Sequence, residues 1–193
     1  MRIKYIVWLL LSFLINYSAF ARENNQNVIS ESEPATISNF DIDRYMGSWY
    51  EIARLPTYFA KRCLAPILST YKHDGDEIEV TNSCATISGD KQTNSSIIYL
   101  TDENMKGGGK FTATAMPSWL RWTHLGRSDY WLLYTDYLYA MVGTPDRKYL
   151  WIYSRQENPP LKDIQNLISQ AEKQGYDVSN LIYNYPSYYA PDK

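Results

Sequence analysis

From residue 49 to residue 155 the chain repeatedly alternates apolar and polar positions with a period of two, in short runs separated by turn residues. Alternation of that kind marks half-buried strands. It predicts strands at about 49–55, 65–72, 77–84, 95–100, 110–116, 129–135, 138–143 and 148–155. Asp74-Gly75, Gly107-Gly108-Gly109 and Pro145-Asp146 supply turn chemistry between them, and the glycine run reads as a flexible turn. Eight consecutive strands with no intervening helix predict an all-β, antiparallel up-and-down barrel, because closing the sheet removes both of its edges. After the last strand the period changes. Asn158-Pro159-Pro160 precedes Leu161, Ile164, Leu167, Ile168 and Ala171, a single apolar helical stripe ended by Gly175.

The flanks differ from this core. Arg2 and Lys4, the apolar run Ile6–Phe20 and Ala19-Phe20-Ala21 form a signal-peptide pattern over residues 1–21. The apolar run is short of the ~20 residues that a membrane span needs. Residues 22–39 are polar and aperiodic and read as a flexible lead-in. The domain is expected over 40–185, with an unassigned tail at 186–193.

An up-and-down meander sends alternate connections to opposite ends of the barrel. Gly47-Ser48-Trp49-Tyr50 at the first strand, Thr135-Asp136-Tyr137 after the sixth and Arg155 at the end of the eighth therefore converge on one end, the base. These three short motifs, in this order, resemble those of the lipocalin family. The resemblance covers roughly residues 40–185 and is closest to the bacterial, outer-membrane type and to apolipoprotein D. It implies that the Trp49 ring plugs the base with the Arg155 guanidinium across it. It also implies that the helix packs outside the barrel and that the opposite end is an open mouth, partly covered by residues 56–62. Gly47, Trp49, Thr135, Asp136, Tyr137 and Arg155 are then structural. Bacterial members are often anchored by a lipid on a cysteine that ends the signal. No cysteine precedes Cys63, so a periplasmic or secreted protein is expected, with outer-membrane association as the alternative.

Composition sharpens the picture in three places. The chain has 18 Tyr and 6 Trp, residues whose apolar bodies and polar tips suit a cavity for an amphipathic molecule. Its two cysteines, Cys63 and Cys84, allow one disulfide, expected in an exported protein and tying the far ends of one hairpin; a reactive free thiol is the alternative. A net charge of −2 with no basic run argues against nucleic acid as a partner. Neither histidine has a partner that spacing identifies. No metal-ligand spacing or phosphate loop occurs, so no cofactor, metal or catalytic residue is assigned.

Strand parity nominates a lumen wall. If Arg155 turns inward, Tyr153, Trp151 and Tyr149 share its side, and Leu150 and Ile152 face out toward the helix. On the sixth strand Tyr130, Leu132 and Tyr134 are in phase. On the first, Glu51, Ala53 and Leu55 follow Trp49 inward, with Glu51 able to pair with Arg155 or hydrogen-bond tyrosines. The 117–127 connection carries Trp119 and Trp122 among Arg121, His124 and Arg127. Three readings stand: a lid over ligand, a membrane contact, or residues folded back on the rim. The expected function is a carrier, monomeric or weakly dimeric, for a small hydrophobic or amphipathic ligand, held by Ala53, Leu55, Tyr130, Leu132, Tyr134, Tyr149, Trp151, Tyr153, Trp119 and Trp122. The resemblance points to a fatty acid, lysophospholipid or similar lipid, in envelope lipid transport, storage or repair. The alternatives are a thiol isomerase on the same barrel and a scavenger or interaction protein that works through its mouth loops.

Overall fold

The computed structural model describes residues 32–57 and 63–184. The expected signal peptide at 1–21, residues 58–62 of the expected mouth cover and the 186–193 tail lie outside the described residues. A four-residue helix α1 (Ile42–Tyr45) leads into β1 (Gly47–Arg54). There follow β2 (Cys63–Asp74), β3 (Glu77–Thr86), β4 (Lys91–Tyr99), a short α2 (Asp102–Met105), β5 (Lys110–Thr114) and a 3-10 turn at Ser118–Thr123. The chain continues through β6 (Arg127–Thr135), β7 (Tyr139–Gly143), β8 (Leu150–Ser154), α3 (Leu161–Lys173) and β9 (Ile182–Tyr183). Every neighbouring pair from β1 to β8 is antiparallel, and β8 pairs back onto β1, so the eight-stranded barrel closes.

Closure at the base rests on Arg155. Its guanidinium lies 3.7 Å from the centre of the Trp49 ring, which is fully buried. Arg155 Nη2 donates to the carbonyls of Arg44, Tyr45 and Met46, and Nη1 donates to Ser48 O at 2.8 Å. The carbonyls of Arg44, Tyr45 and Met46 end α1, where a helix has no internal donors left to offer them. Trp49 Nε1 donates to Tyr45 O at 2.9 Å. Gly47, at φ +92°, lets the backbone pass with only 3.4 Å between Arg155 Nη1 and the place a Cβ would take. In the Thr135-Asp136-Tyr137 turn, Asp136 Oδ1 accepts from the amides of Leu138 and Tyr139. The Tyr137 hydroxyl accepts from Asp41 N, which ties this turn to α1.

The glycine run is not a flexible turn. A Cβ on Gly107 would sit 2.6 Å from Phe40 N, and one on Gly109 would sit 2.7 Å from Leu132 O. The end of the lead-in crosses here, with Ile37 N donating to Leu132 O and Phe40 N to Gly107 O, and Phe40 is buried in the core. The glycines make room for this crossing, so the chain from Ile37 onward is part of the barrel's closure.

Outside the barrel, Ile164, Leu167 and Ala171 of α3 are buried against the outer faces of β1, β7 and β8, meeting Ile52, Ala53, Ile152, Met141 and Leu150. Near the mouth, β2 matches β1 only from Gly47 to Glu51. The upper part of β1 would be left with a bare edge there. Ile182 and Tyr183 of β9 fill it, opposite Arg54 and Ala53. Cys63 and Cys84 are disulfide-bonded, with Cα atoms 5.5 Å apart, as expected for the two ends of that hairpin. The free-thiol alternative is thereby set aside.

Arg155→Lys keeps the charge but cannot fork across four carbonyls. Loss of those charge-assisted hydrogen bonds is expected to cost about 2 kcal/mol, read as a lower midpoint in urea unfolding with unchanged slope.

Candidate functional site

The lumen has two unlike halves. Below, Phe40, Tyr45, Tyr71, Ile78, Ile98, Phe111, Tyr130 and Leu132 surround a remnant cavity of about 10 Å³, room for a single water at most. Tyr71 and Tyr130 share a hydrogen bond between their hydroxyls. Burial holds the phenols of Tyr71, Tyr130 and Tyr153 well above their ordinary range, so they stay protonated and act as neutral hydrogen-bonding groups. This half is a floor rather than a binding chamber.

Above the floor, Trp151 is half-buried, with Tyr149 stacked on it at 6.0 Å and Tyr130 beneath at 6.2 Å. Tyr149 is 39% exposed and marks the mouth side of this aromatic wall. The facing wall is polar. Residues directly opposite on paired strands share a face, so Asn82 and Asn94, and Cys84 and Gln92, point inward with Val80 and Ser96. Ser69 Oγ donates to Asn82 Oδ1 at 2.6 Å, and the inward Asn94 and Ser128 are exposed to solvent.

Two bulges rewrite the parity expectations. The β1–β8 register slips between Glu51 and Ala53, so Glu51 faces Tyr153 and Arg54 faces Trp151, both on the lumen side, while Ala53 faces Ile152 on the outside. Ala53 and Leu55 therefore pack under α3 and its flanks and do not line the cavity. A second slip between Leu132 and Tyr134 on β6 turns Tyr134 outward, where its hydroxyl donates to Asp136 at 3.3 Å. Tyr130, Leu132, Trp151 and Tyr153 do face inward, with Tyr149 stacked at the rim.

Trp119 and Trp122 are 72% and 78% exposed and take no part in the lumen wall. Their loop leans on the outer side of the barrel: Arg121 lies 3.5 Å from Glu77, and Arg127 lies over the Tyr99 ring at 4.5 Å. Glu77 and Tyr99 pair across β3 and β4 on the face opposite the inward Ile78 and Ile98. Neither a lid nor a folded-back rim describes this loop.

The residue that parity missed is Arg54. It is 4% exposed, and its Nε lies 2.9 Å from Glu51 Oε1. Asn184 Nδ2, just past β9, donates to the same oxygen at 2.6 Å. Glu51 thus pairs with Arg54 rather than Arg155. Burial pushes its carboxyl up to about 7 even though Arg54 and Asn184 oppose that rise. An arginine at the end of an apolar strand was the available signal, but its facing depends on a bulge. Among the described residues no cluster of His, Cys, Asp and Glu could hold a metal ion.

A family model for the lipocalin-like domain matches residues 40–186. The chain belongs to the lipocalin family. It is 30% identical over 154 residues to temperature-induced lipocalin-1 of Arabidopsis thaliana, covering 78% of this chain and 82% of that one. It is 32% identical over 151 residues to the outer membrane lipoprotein Blc of Escherichia coli K12, covering 76% and 80%. Among solved structures, insecticyanin from the tobacco hornworm Manduca sexta superposes with a TM-score of 0.60 at 23% identity, covering 81% of this chain and 86% of that one, a likeness of fold. Lipocalins generally bind small hydrophobic ligands.

A raised carboxyl binds its proton more tightly folded than unfolded, so its contribution is complete below the ordinary carboxyl value of 4.5 and is lost as pH climbs through about 7. Thermal melts should show wild type losing stability across that window, and Glu51→Gln should flatten the loss. An unchanged profile in the variant would show that Glu51 is not the group responsible.

Proposed function

We propose that this lipocalin is an exported carrier that holds one amphipathic lipid in the upper lumen, with the acyl chain against Tyr130, Trp151 and Tyr149. The observation that supports this most is the division of the barrel: a filled floor and, above it, an aromatic wall opposite polar residues that reach solvent. A ligand seated there meets large apolar faces on one side and hydrogen-bonding groups on the other, which matches a molecule with a tail and a head. Roughly ten buried methylenes supply about 8 kcal/mol, the free energy of a micromolar Kd. Fatty acids and lysophospholipids fit that description, and an envelope role in lipid transport, storage or repair follows from export. Both cysteines are held in the disulfide, which weighs against a thiol enzyme.

The exposed Trp119 and Trp122 favour loading at a lipid surface. In a 3-10 turn, side chains three apart eclipse, so the two indoles stand on one edge while Arg121 on another edge is anchored through its Nε to Met116 O at 3.1 Å. Tryptophan presented in this way suits the headgroup layer of a bilayer.

The test combines native mass spectrometry of the exported protein with titration of a fluorescent fatty acid. A co-purifying lipid, and a Kd weakened at least ~10-fold by Trp151→Ala, are expected from the loss of one buried aromatic face. Trp119→Ala/Trp122→Ala should leave the Kd unchanged and slow transfer from vesicles. No binding by wild type, or binding indifferent to Trp151, contradicts the proposal.

A further inference from the structure

The barrel wall is not paired over its full height. β4 runs from Lys91 to Tyr99, but β5 reaches only Ile97, Ile98 and Tyr99, opposite Thr114, Ala113 and Thr112. Past Thr114 the chain leaves the wall, and Met116 N donates back to Thr114 Oγ1 at 3.2 Å. Among the described residues, no strand pairs with the 91–96 half of β4 on that side.

The ladder on the other side shows which backbone groups are left over. Leu100 N donates to Asp76 O at one end of the β3–β4 hairpin, and Thr86 N donates to Asp90 O at the other. Hydrogen-bonded pairs recur at every second residue of an antiparallel ladder, and this register is unbroken between those two ends. Gln92, Asn94, Ser96 and Ile98 therefore bond to β3, whereas Lys91, Thr93 and Ser95 turn their N–H and C=O toward the side that β5 leaves. Three residues with one donor and one acceptor each present six backbone groups there. All three residues are exposed. Sheet edges are commonly blunted by proline, a bulge or several charges. Residues 91–96 hold no proline, their register has no bulge, and Lys91 is their sole charge.

We propose that a second copy of this chain fills the edge, β4 against β4, about a two-fold axis at Thr93. The edge is self-complementary. With the partner's Thr93 opposite Thr93, Lys91 falls opposite the partner's Ser95, and Ser95 opposite the partner's Lys91. Every one of the six groups is then used, and sliding the strands by two residues leaves Lys91 or Ser95 out. No like charges meet, and a threonine pair is a favourable cross-strand contact. On the lumen face Gln92 lies beside the partner's Asn94, and Asn94 beside the partner's Gln92, carboxamides that both donate and accept. The partner thus continues the polar wall where β5 stops short. β4 is already ordered on β3, which lowers the cost of adding a strand. An edge of this length belongs with small, transient interfaces, under ~1,200 Å². The dimer therefore forms and dissociates with concentration.

The competing occupant is chain outside the described residues. The 185–193 stretch carries Pro186 and Pro191, which lack the N–H of a ladder residue. The 22–31 stretch is distinguished by experiment. Sedimentation equilibrium and residue-resolved amide exchange are measured on the exported protein over a roughly hundredfold range of concentration. The mean mass should rise toward that of two chains. Exchange at Lys91, Thr93 and Ser95 should slow at least ~10-fold across the range, while Gln92, Asn94 and Ser96 are protected throughout. Thr93→Lys sets two ammonium groups together on the axis, and Thr93→Asp two carboxylates. Each variant alone should stay monomeric, and an equimolar mixture should pair again. The wild-type exchange pattern needs no variant, so it decides even where a substitution fails to fold. A monomer at every concentration overturns the proposal. So does a dimer whose Lys91, Thr93 and Ser95 amides exchange as in the monomer, or one that folded Thr93→Lys and Thr93→Asp both leave intact. A mixture of the folded variants that stays monomeric overturns the Thr93-centred register. Protection of those three amides already in the dilute monomer assigns the edge to the 22–31 stretch and overturns the proposal as well.

Discussion

One cation and one ring close this barrel. Arg155 spends its donors on the last carbonyls of α1 and on Ser48, and lays its face on Trp49. Three distant stretches, before β1, after β6 and after β8, meet there, and a barrel whose first and last strands must pair needs such a junction. The contact is a cation–π pair worth ~0.5–2 kcal/mol, reinforced by charge-assisted hydrogen bonds to groups that would otherwise be orphaned at a helix end. Around it the lead-in from Ile37 crosses the three glycines, and Phe40 packs edge-on to Tyr45 and Phe111.

A sealed base fixes what the rest can do. With Trp49 below and the hydrogen-bonded tyrosines above it, access from that end is closed and the lower lumen is nearly full. The carrier reading accordingly places its ligand in the upper half, where β2, β3 and β4 stand taller than β1 and β5 and contribute Asn82, Asn94 and Gln92. On the opposite side Trp151 and Tyr149 supply the apolar surface. The segment at 182–184 belongs to the same design, because β9 covers the edge of β1 that β2 leaves bare, and Asn184 reaches the buried Glu51.

The barrel could be read from the alternation, since the eight strand runs agree with the final pairing, and the Gly47, Trp49, Thr135, Asp136 and Arg155 positions meet at the base as their spacing required. The helix stripe was equally plain. What could not be read were events that leave no trace in a period-two pattern. A bulge at Ile52 keeps the letters Glu-Ile-Ala-Arg-Leu but exchanges the faces after Glu51, so Ala53 and Leu55 go out and Arg54 comes in. The same holds at Leu133 and Tyr134. The two-residue β9 and the four-residue α1 are too short for any periodicity, and tertiary contacts alone fix them. Trp119 and Trp122 gave a strong compositional signal, but composition could not tell which side of the barrel their loop would lean on.

The most direct test of the central claim is a crystal structure of the protein with its co-purified or added lipid. The account predicts acyl-chain density in the upper lumen, resting on the Tyr71–Tyr130 floor and in contact with Trp151, with the base still sealed by Arg155 over Trp49. Lipid density on the outer wall with an empty lumen, or a chain running down through a displaced tyrosine floor, would contradict it.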